Sequence, residues 1–118
     1  MSGTASILVV EDEFLVAMEL EAILMNTGWK VVGPAGTLAG AVKLARSAHC
    51  DGAALDVNLG GDRVDEVASI LAGRGIPFVF VSGYGRENLP AAHRENLLIS
   101  KPANGQSLVQ AVRDLLLD

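Results

Sequence analysis

The chain has 118 residues, a net charge of −5 and a single cysteine, Cys50. That length suits one compact domain, taken here as residues 1–118, and is too short for two. An acidic surface repels nucleic-acid phosphates and anionic lipid, so neither is an expected partner. No apolar run nears the roughly 18 to 20 residues that span a bilayer, and Met1–Ser6 lacks the basic start of a signal peptide, so a cytoplasmic protein is expected. One cysteine forms no internal disulfide, which fits a reducing compartment.

In chain order, short apolar runs alternate with helical periods. The runs are Ile7-Leu8-Val9-Val10, Lys30-Val31-Val32, Ala53-Ala54-Leu55, Phe78-Val79-Phe80-Val81 and Leu97-Leu98-Ile99. Most are apolar at consecutive positions, which a strand covered on both faces requires and a parallel sheet provides. Val16, Leu20, Ile23 and Leu24 predict a first helix ending near Gly28. Leu38, Ala41, Val42 and Ala45 predict a second after Thr37, a good N-cap. Val64, Val67, Ala68 and Leu71 predict a third after Asp62. The slot from Gly85 to Asn96 is interrupted by Pro90, so a short or mobile helix is expected there. Leu108, Ala111, Val112, Leu115 and Leu116 make the clearest stripe, capped by Asn104.

The expected fold is α/β: five βα units forming a doubly wound parallel five-stranded sheet of flavodoxin-like order 2-1-3-4-5. Such sheets bind ligands beyond the carboxyl ends of their strands. Those ends carry Glu11-Asp12-Glu13, Asp56, Ser82 and Ser100-Lys101-Pro102. Three converging carboxylates repel, by roughly 4 kcal/mol for a pair about 4 Å apart at an effective dielectric of 20, so they call for a counter-charge. Hard oxygen ligands beside an open cleft suit Mg²⁺, while Lys101 adds an ammonium and Ser82 a hydroxyl. These are the parts needed to place a phosphoryl group on a carboxylate, and Asp56 is the central candidate. Taken singly, each has a plainer role: Asp56 as a turn former, Glu11 to Glu13 as an acidic first turn, Ser82 in a turn, Lys101 as a surface charge. Their meeting at one sheet edge is what points to chemistry. His49, His93 and Trp29 read as surface or packing residues.

Quoted together, Val9-Val10-Glu11-Asp12, Asp56-Val57-Asn58-Leu59, Val81-Ser82-Gly83 and Ser100-Lys101-Pro102 resemble the receiver domain of two-component response regulators over nearly the whole chain. The resemblance implies a signalling module in a phosphorelay, without turnover of an external substrate but with slow autophosphorylation and autodephosphorylation. Asp56 would take the phosphoryl group from a histidine kinase or a histidine phosphotransfer protein. Asp12, Asp56 and the backbone carbonyl of Asn58 would hold Mg²⁺, with Glu11 acting through water. Lys101 would pair with Asp56 and then with the phosphate, Ser82 would act as the switch hydroxyl, and the Lys101-Pro102 peptide would be cis. A downstream target protein and a monomeric or weakly dimeric state are further expectations.

Leu98 stands where many receivers place an aromatic switch residue. Phe80, Ser82 and Tyr84 lie instead in a segment similar to the Phe-Ala-Thr-Gly-Gly/Tyr-Tyr subgroup paired with HWE-class kinases, and they become the expected switch. Three other readings compete. A haloacid-dehalogenase-type phosphatase needs a second acid where Asn58 stands. A flavodoxin-like cofactor binder would meet an acidic loop. A degenerate receiver would lack a charged site element, and each is present.

Overall fold

The computed structural model describes residues 4–83, 85–94, 96–101 and 104–117. Five parallel strands form the main sheet: β1 (Ser6–Val10), β2 (Lys30–Ala35), β3 (Gly52–Asp56), β4 (Phe78–Ser82) and β5 (Leu98–Ser100). Their order is β2-β1-β3-β4-β5, as the hydrophobic runs predict. Four helices cover the two faces: α1 (Phe14–Asn26), α2 (Leu38–Ser47), α3 (Asp65–Gly73) and α4 (Gly105–Leu116).

Side chains alternate across a strand, so consecutive apolar residues feed two cores. Leu8, Val10, Ala53, Leu55, Phe78 and Phe80 face α2 and α3, in a cluster that includes Ala41, Val67 and Leu71. Ile7, Val9, Ala54, Val79 and Val81 face the other way, clustered with Leu20 and Leu24 of α1 and Leu108 and Val112 of α4. Asp56 sits at the end of the central strand, where both layers meet solvent. Cys50 is buried in the first cluster, and Trp29 packs against the second.

Local chemistry sets most boundaries. Thr37 Oγ1 accepts from the Gly40 amide, and Asn104 Oδ1 accepts from the amides of Gln106 and Ser107, so both predicted N-caps are formed. Gly28 follows the Thr27 cap of α1 with φ +104°. The start of α3 differs from expectation. Asp62 does not cap it, because Asp62–Arg63 pairs antiparallel with Asn58–Leu59 in a two-stranded hairpin, and the helix begins at Asp65. Gly60 and Gly61 close that turn with φ +58° and +99°, a backbone region natural to glycine.

The fourth helical slot holds two short 3₁₀ turns, Arg86–Asn88 and Ala91–His93, instead of an α-helix. Pro90 lies between them with no N–H to give a helical ladder. Leu89 is 1 % exposed and anchors the segment in the first core cluster. The cis peptide found among the described residues is Gly33-Pro34. The one expected at Lys101-Pro102 involves Pro102, and the expected switch set includes Tyr84; both residues lie outside the described residues.

Candidate functional site

Each functional side chain is positioned by a strand end. The Glu11 amide donates to Ala35 O at 2.9 Å, extending the β1–β2 ladder by one residue and turning Glu11 inward. Asp56 is the last residue of β3, and Ser82 the last of β4. The Lys101 amide donates to Ser82 O at 2.9 Å, which fixes where the lysine leaves the sheet. Glu11, Asp56 and Ser82 are all buried, at 2 %, 7 % and 1 % exposure.

Lys101 Nζ is the hub. It lies 2.9 Å from Glu11 Oε1, 3.1 Å from Glu13 Oε1 and 3.3 Å from Asp56 Oδ2. Around it opens a cleft of about 480 Å³ lined by Asp12, Glu13, Asp56, Asn58, Gly60, Gly61, Gly83 and Lys101. The loops after β1, β3, β4 and β5 thus meet as the sheet topology predicts. Asp12 Oδ2 accepts from the Gly60 amide at 2.8 Å, and the Asn58 amide donates to Asp56 Oδ1 at 3.4 Å. Phe80, by contrast, is buried in the core against Phe78, with ring centroids 5.5 Å apart, and does not line the cleft. Leu98 packs half-buried against the same cluster.

Burial shapes the electrostatics. It pushes the Glu11 carboxyl up to about 7, against the pull of Lys101 and the Glu13 amide, and the nearby Asp56 charge adds to the rise. Asp56 is also raised, chiefly by burial, with the Lys101 charge opposing. Burial works against the Lys101 ammonium, but its bonds to Glu11 and Glu13 and the Asp56 charge outweigh that and raise it. The site is therefore short of positive charge.

The donor set fits a small divalent cation. One carboxylate oxygen each from Glu11, Asp12 and Asp56 lies within 4.8 Å of the others, and all are hard oxygen ligands. Glu11 Oε1 is buried and accepts no hydrogen bond among the described residues, although the ammonium is near enough for an ion pair. A cation or its bound water at these oxygens would add to the counter-charge that Lys101 supplies.

This predicts a pH dependence. An acid raised on folding binds its proton more tightly in the folded state, so folding stability falls as pH rises from the unfolded value near 4.5 to about 7. Asp56 adds to the same trend, while the Lys101 contribution is lost only above 10.5. In EDTA, the Glu11–Asp56 contribution should therefore weaken between pH 5 and 8. Thermal melts with and without Mg²⁺ should show a larger metal-induced rise in Tm at pH 8 than at pH 5.

Two contacts go beyond what the strand ends alone assign. Glu13 is a direct partner of Lys101, though its acidic neighbours overshadow it in sequence. The hairpin after Asp56 brings Gly60 to Asp12, and the Gly60-Gly61 pair after Asn58-Leu59 is the sequence signal for it. His49 and His93 stay outside the cleft, one 3.7 Å from Asp51 and the other edge-on to Phe78.

No family model matches the chain. Its sequence is 37 % identical over 100 residues to the phyllosphere-induced regulator PhyR of Methylorubrum extorquens, a match spanning 81 % of this chain and 38 % of that protein. SdrG from Sphingomonas melonis is 39 % identical, with a TM-score of 0.85 over 98 % of this chain and 99 % of that one. The BeF3-activated conformation of SdrG superposes with a TM-score of 0.77. The receiver domain of the Erythrobacter litoralis PhyR response regulator aligns with a TM-score of 0.84 at 26 % identity, covering 98 % of this chain and 92 % of that one. With the sheet order and the strand-end residues above, these likenesses assign the chain to the receiver-domain family of two-component response regulators.

Proposed function

We propose that this domain accepts a phosphoryl group on Asp56 from a phosphohistidine, borne by a histidine kinase or a histidine phosphotransfer protein. The observation that carries the reading is the Lys101 ammonium 3.3 Å from Asp56 Oδ2 at the wall of an open acidic cleft. An Asp56 carboxylate oxygen attacks phosphorus, the P–N bond breaks, and its electron pair returns to the imidazole. The product is an acyl phosphate. As charge moves onto the phosphoryl oxygens, Lys101 is placed to follow it, because the ammonium already bridges the acceptor and Glu11.

Mg²⁺, held by Asp12, Asp56 and the Asn58 carbonyl with Glu11 through water, would neutralise the phosphoryl oxygens. Ser82, buried beside Asp56 at the end of the adjoining strand, supplies the hydroxyl that senses the phosphate. SdrG, 38 % identical to this chain, has a BeF3-activated conformation, and beryllium fluoride is a phosphoryl mimic, which supports this reading. An HWE-class kinase, a cytoplasmic location, a downstream protein target and the lack of turnover beyond slow self-dephosphorylation complete the proposal. No described helix is long and apolar enough to cross a membrane.

The test is incubation with Mg²⁺ and acetyl phosphate, followed by intact-mass measurement. One phosphoryl-sized gain, abolished by EDTA, is expected. No gain with acetyl phosphate or a cognate kinase would leave a receiver that binds partners without being phosphorylated.

A further inference from the structure

The hairpin that follows the acceptor is tied to the segment that replaces the fourth helix. Arg63 pairs with Asn58 across the hairpin, and Asn58 donates its amide to Asp56. From the other side of that ladder, Arg63 Nη2 reaches 25 residues along the chain and donates to Asn88 O at 2.8 Å. Its Nε donates to Asp65 Oδ1 at 3.0 Å, so the planar guanidinium is held at two points and its direction is set. Leu89, next to Asn88, is buried in the same cluster as Val57, Leu59 and Val64, the apolar residues on either side of the hairpin turn. Within the segment itself the bonds are local: Asn88 N to Gly85 O at 3.1 Å, His93 N to Pro90 O at 2.8 Å and Arg94 Nη2 to Glu87 O at 3.3 Å.

We propose that Arg63 is a positioning residue that couples occupation of the Asp56 cleft to the segment at residues 86–94. A ligand on Asp56 alters the Asn58 end of the hairpin, and the Arg63 guanidinium carries that change to the Asn88 carbonyl. A lysine at this place would have a single ammonium to share between Asp65 and Asn88 and would couple less well. This route lies outside the β4–β5 ladder, so it needs no aromatic at the position of Leu98. The cleft's ligand is a phosphoryl group only on the proposed function, and the coupling rests on that reading.

The test uses ¹⁵N-resolved NMR of the wild type, Arg63→Ala and Arg63→Lys, each titrated with Mg²⁺ and beryllium fluoride. In the wild type, amides at Asn58 and Gly60 and those at Asn88 and Leu89 should all shift. In Arg63→Ala the hairpin shifts should persist while those at Asn88 and Leu89 fall several-fold, with Arg63→Lys between. Arg63 is an exposed side chain, so unchanged unfolding midpoints are expected to exclude a general loss of structure. Equal shifts at Asn88 and Leu89 in Arg63→Ala, or none there in the wild type while the hairpin responds, would overturn the coupling alone. No response even at Asn58 in the wild type would overturn the phosphoacceptor reading, and the coupling with it.

Discussion

Asp56→Asn should abolish phosphoryl uptake from acetyl phosphate while leaving the metal-free protein no less stable than the wild type. Loss of uptake follows from chemistry, because an amide oxygen is too weak a nucleophile to form the acyl phosphate. The stability result follows from burial. Asp56 is 7 % exposed, and its carboxyl is raised because desolvation outweighs the help from Lys101. An ionised group held in that condition opposes folding near neutral pH, and the isosteric amide removes the charge without a cavity. Lys101 keeps Glu11 and Glu13 as partners in the variant. The Mg²⁺-induced rise in Tm should shrink in parallel, since one of three clustered carboxylates has gone. Intact mass and thermal melts in EDTA and Mg²⁺ check all three effects.

Lys101→Ala should be the most damaging change at the site for rate and stability together. The ammonium is 16 % exposed and serves three carboxylates, one with no exposed side-chain surface. Breaking a buried ion pair from one side costs about 3 kcal/mol, less where the abandoned acid can take a proton, as Glu11 can near pH 7. Urea unfolding should therefore show a larger loss at pH 8 than at pH 6. Uptake from acetyl phosphate should slow on the order of 100-fold, the usual effect of removing one aimed donor from a charge-developing transition state. Excess Mg²⁺ should recover part of the stability and little of the rate, because a cation on the Asp12 side does not replace a donor on the Lys101 side.

The sheet was legible in the sequence for a clear physical reason. Residues such as Ile7 to Val10 are apolar on both strand faces because each face meets a helix layer, and that demand leaves no polar position to confuse the pattern. The caps at Thr37 and Asn104 were equally readable, since a short oxygen-bearing side chain before an apolar period has one best use. Asp62 has the same appearance, yet Gly60 and Gly61 divert it into a hairpin. Local propensity there loses to a turn that only two glycines allow. Pro90 marked the fourth slot as a poor helix, but the burial of Leu89 that anchors it depends on distant residues.

The candidate site was legible as a set of strand ends and less so as a geometry. The topology that brings Glu11, Asp56, Ser82 and Lys101 to one edge follows from strand order. The reach of Lys101 to Glu13, and of Arg63 to Asn88, depends on side-chain paths that no spacing encodes. Phe80 shows the converse. Its place in a motif-like segment suggested a switch, whereas its side chain fills the core between β4 and its neighbours.

The central claim is that Asp56, among several clustered acids, carries the phosphoryl group. Protein treated with acetyl phosphate and Mg²⁺ can be reduced with borohydride, which converts an aspartyl phosphate to homoserine, and then digested and sequenced by tandem mass spectrometry. Homoserine at position 56, and at no other acid of the cleft, is the predicted result. Homoserine at Asp12, or an unreduced chain after a confirmed phosphoryl gain, would contradict it.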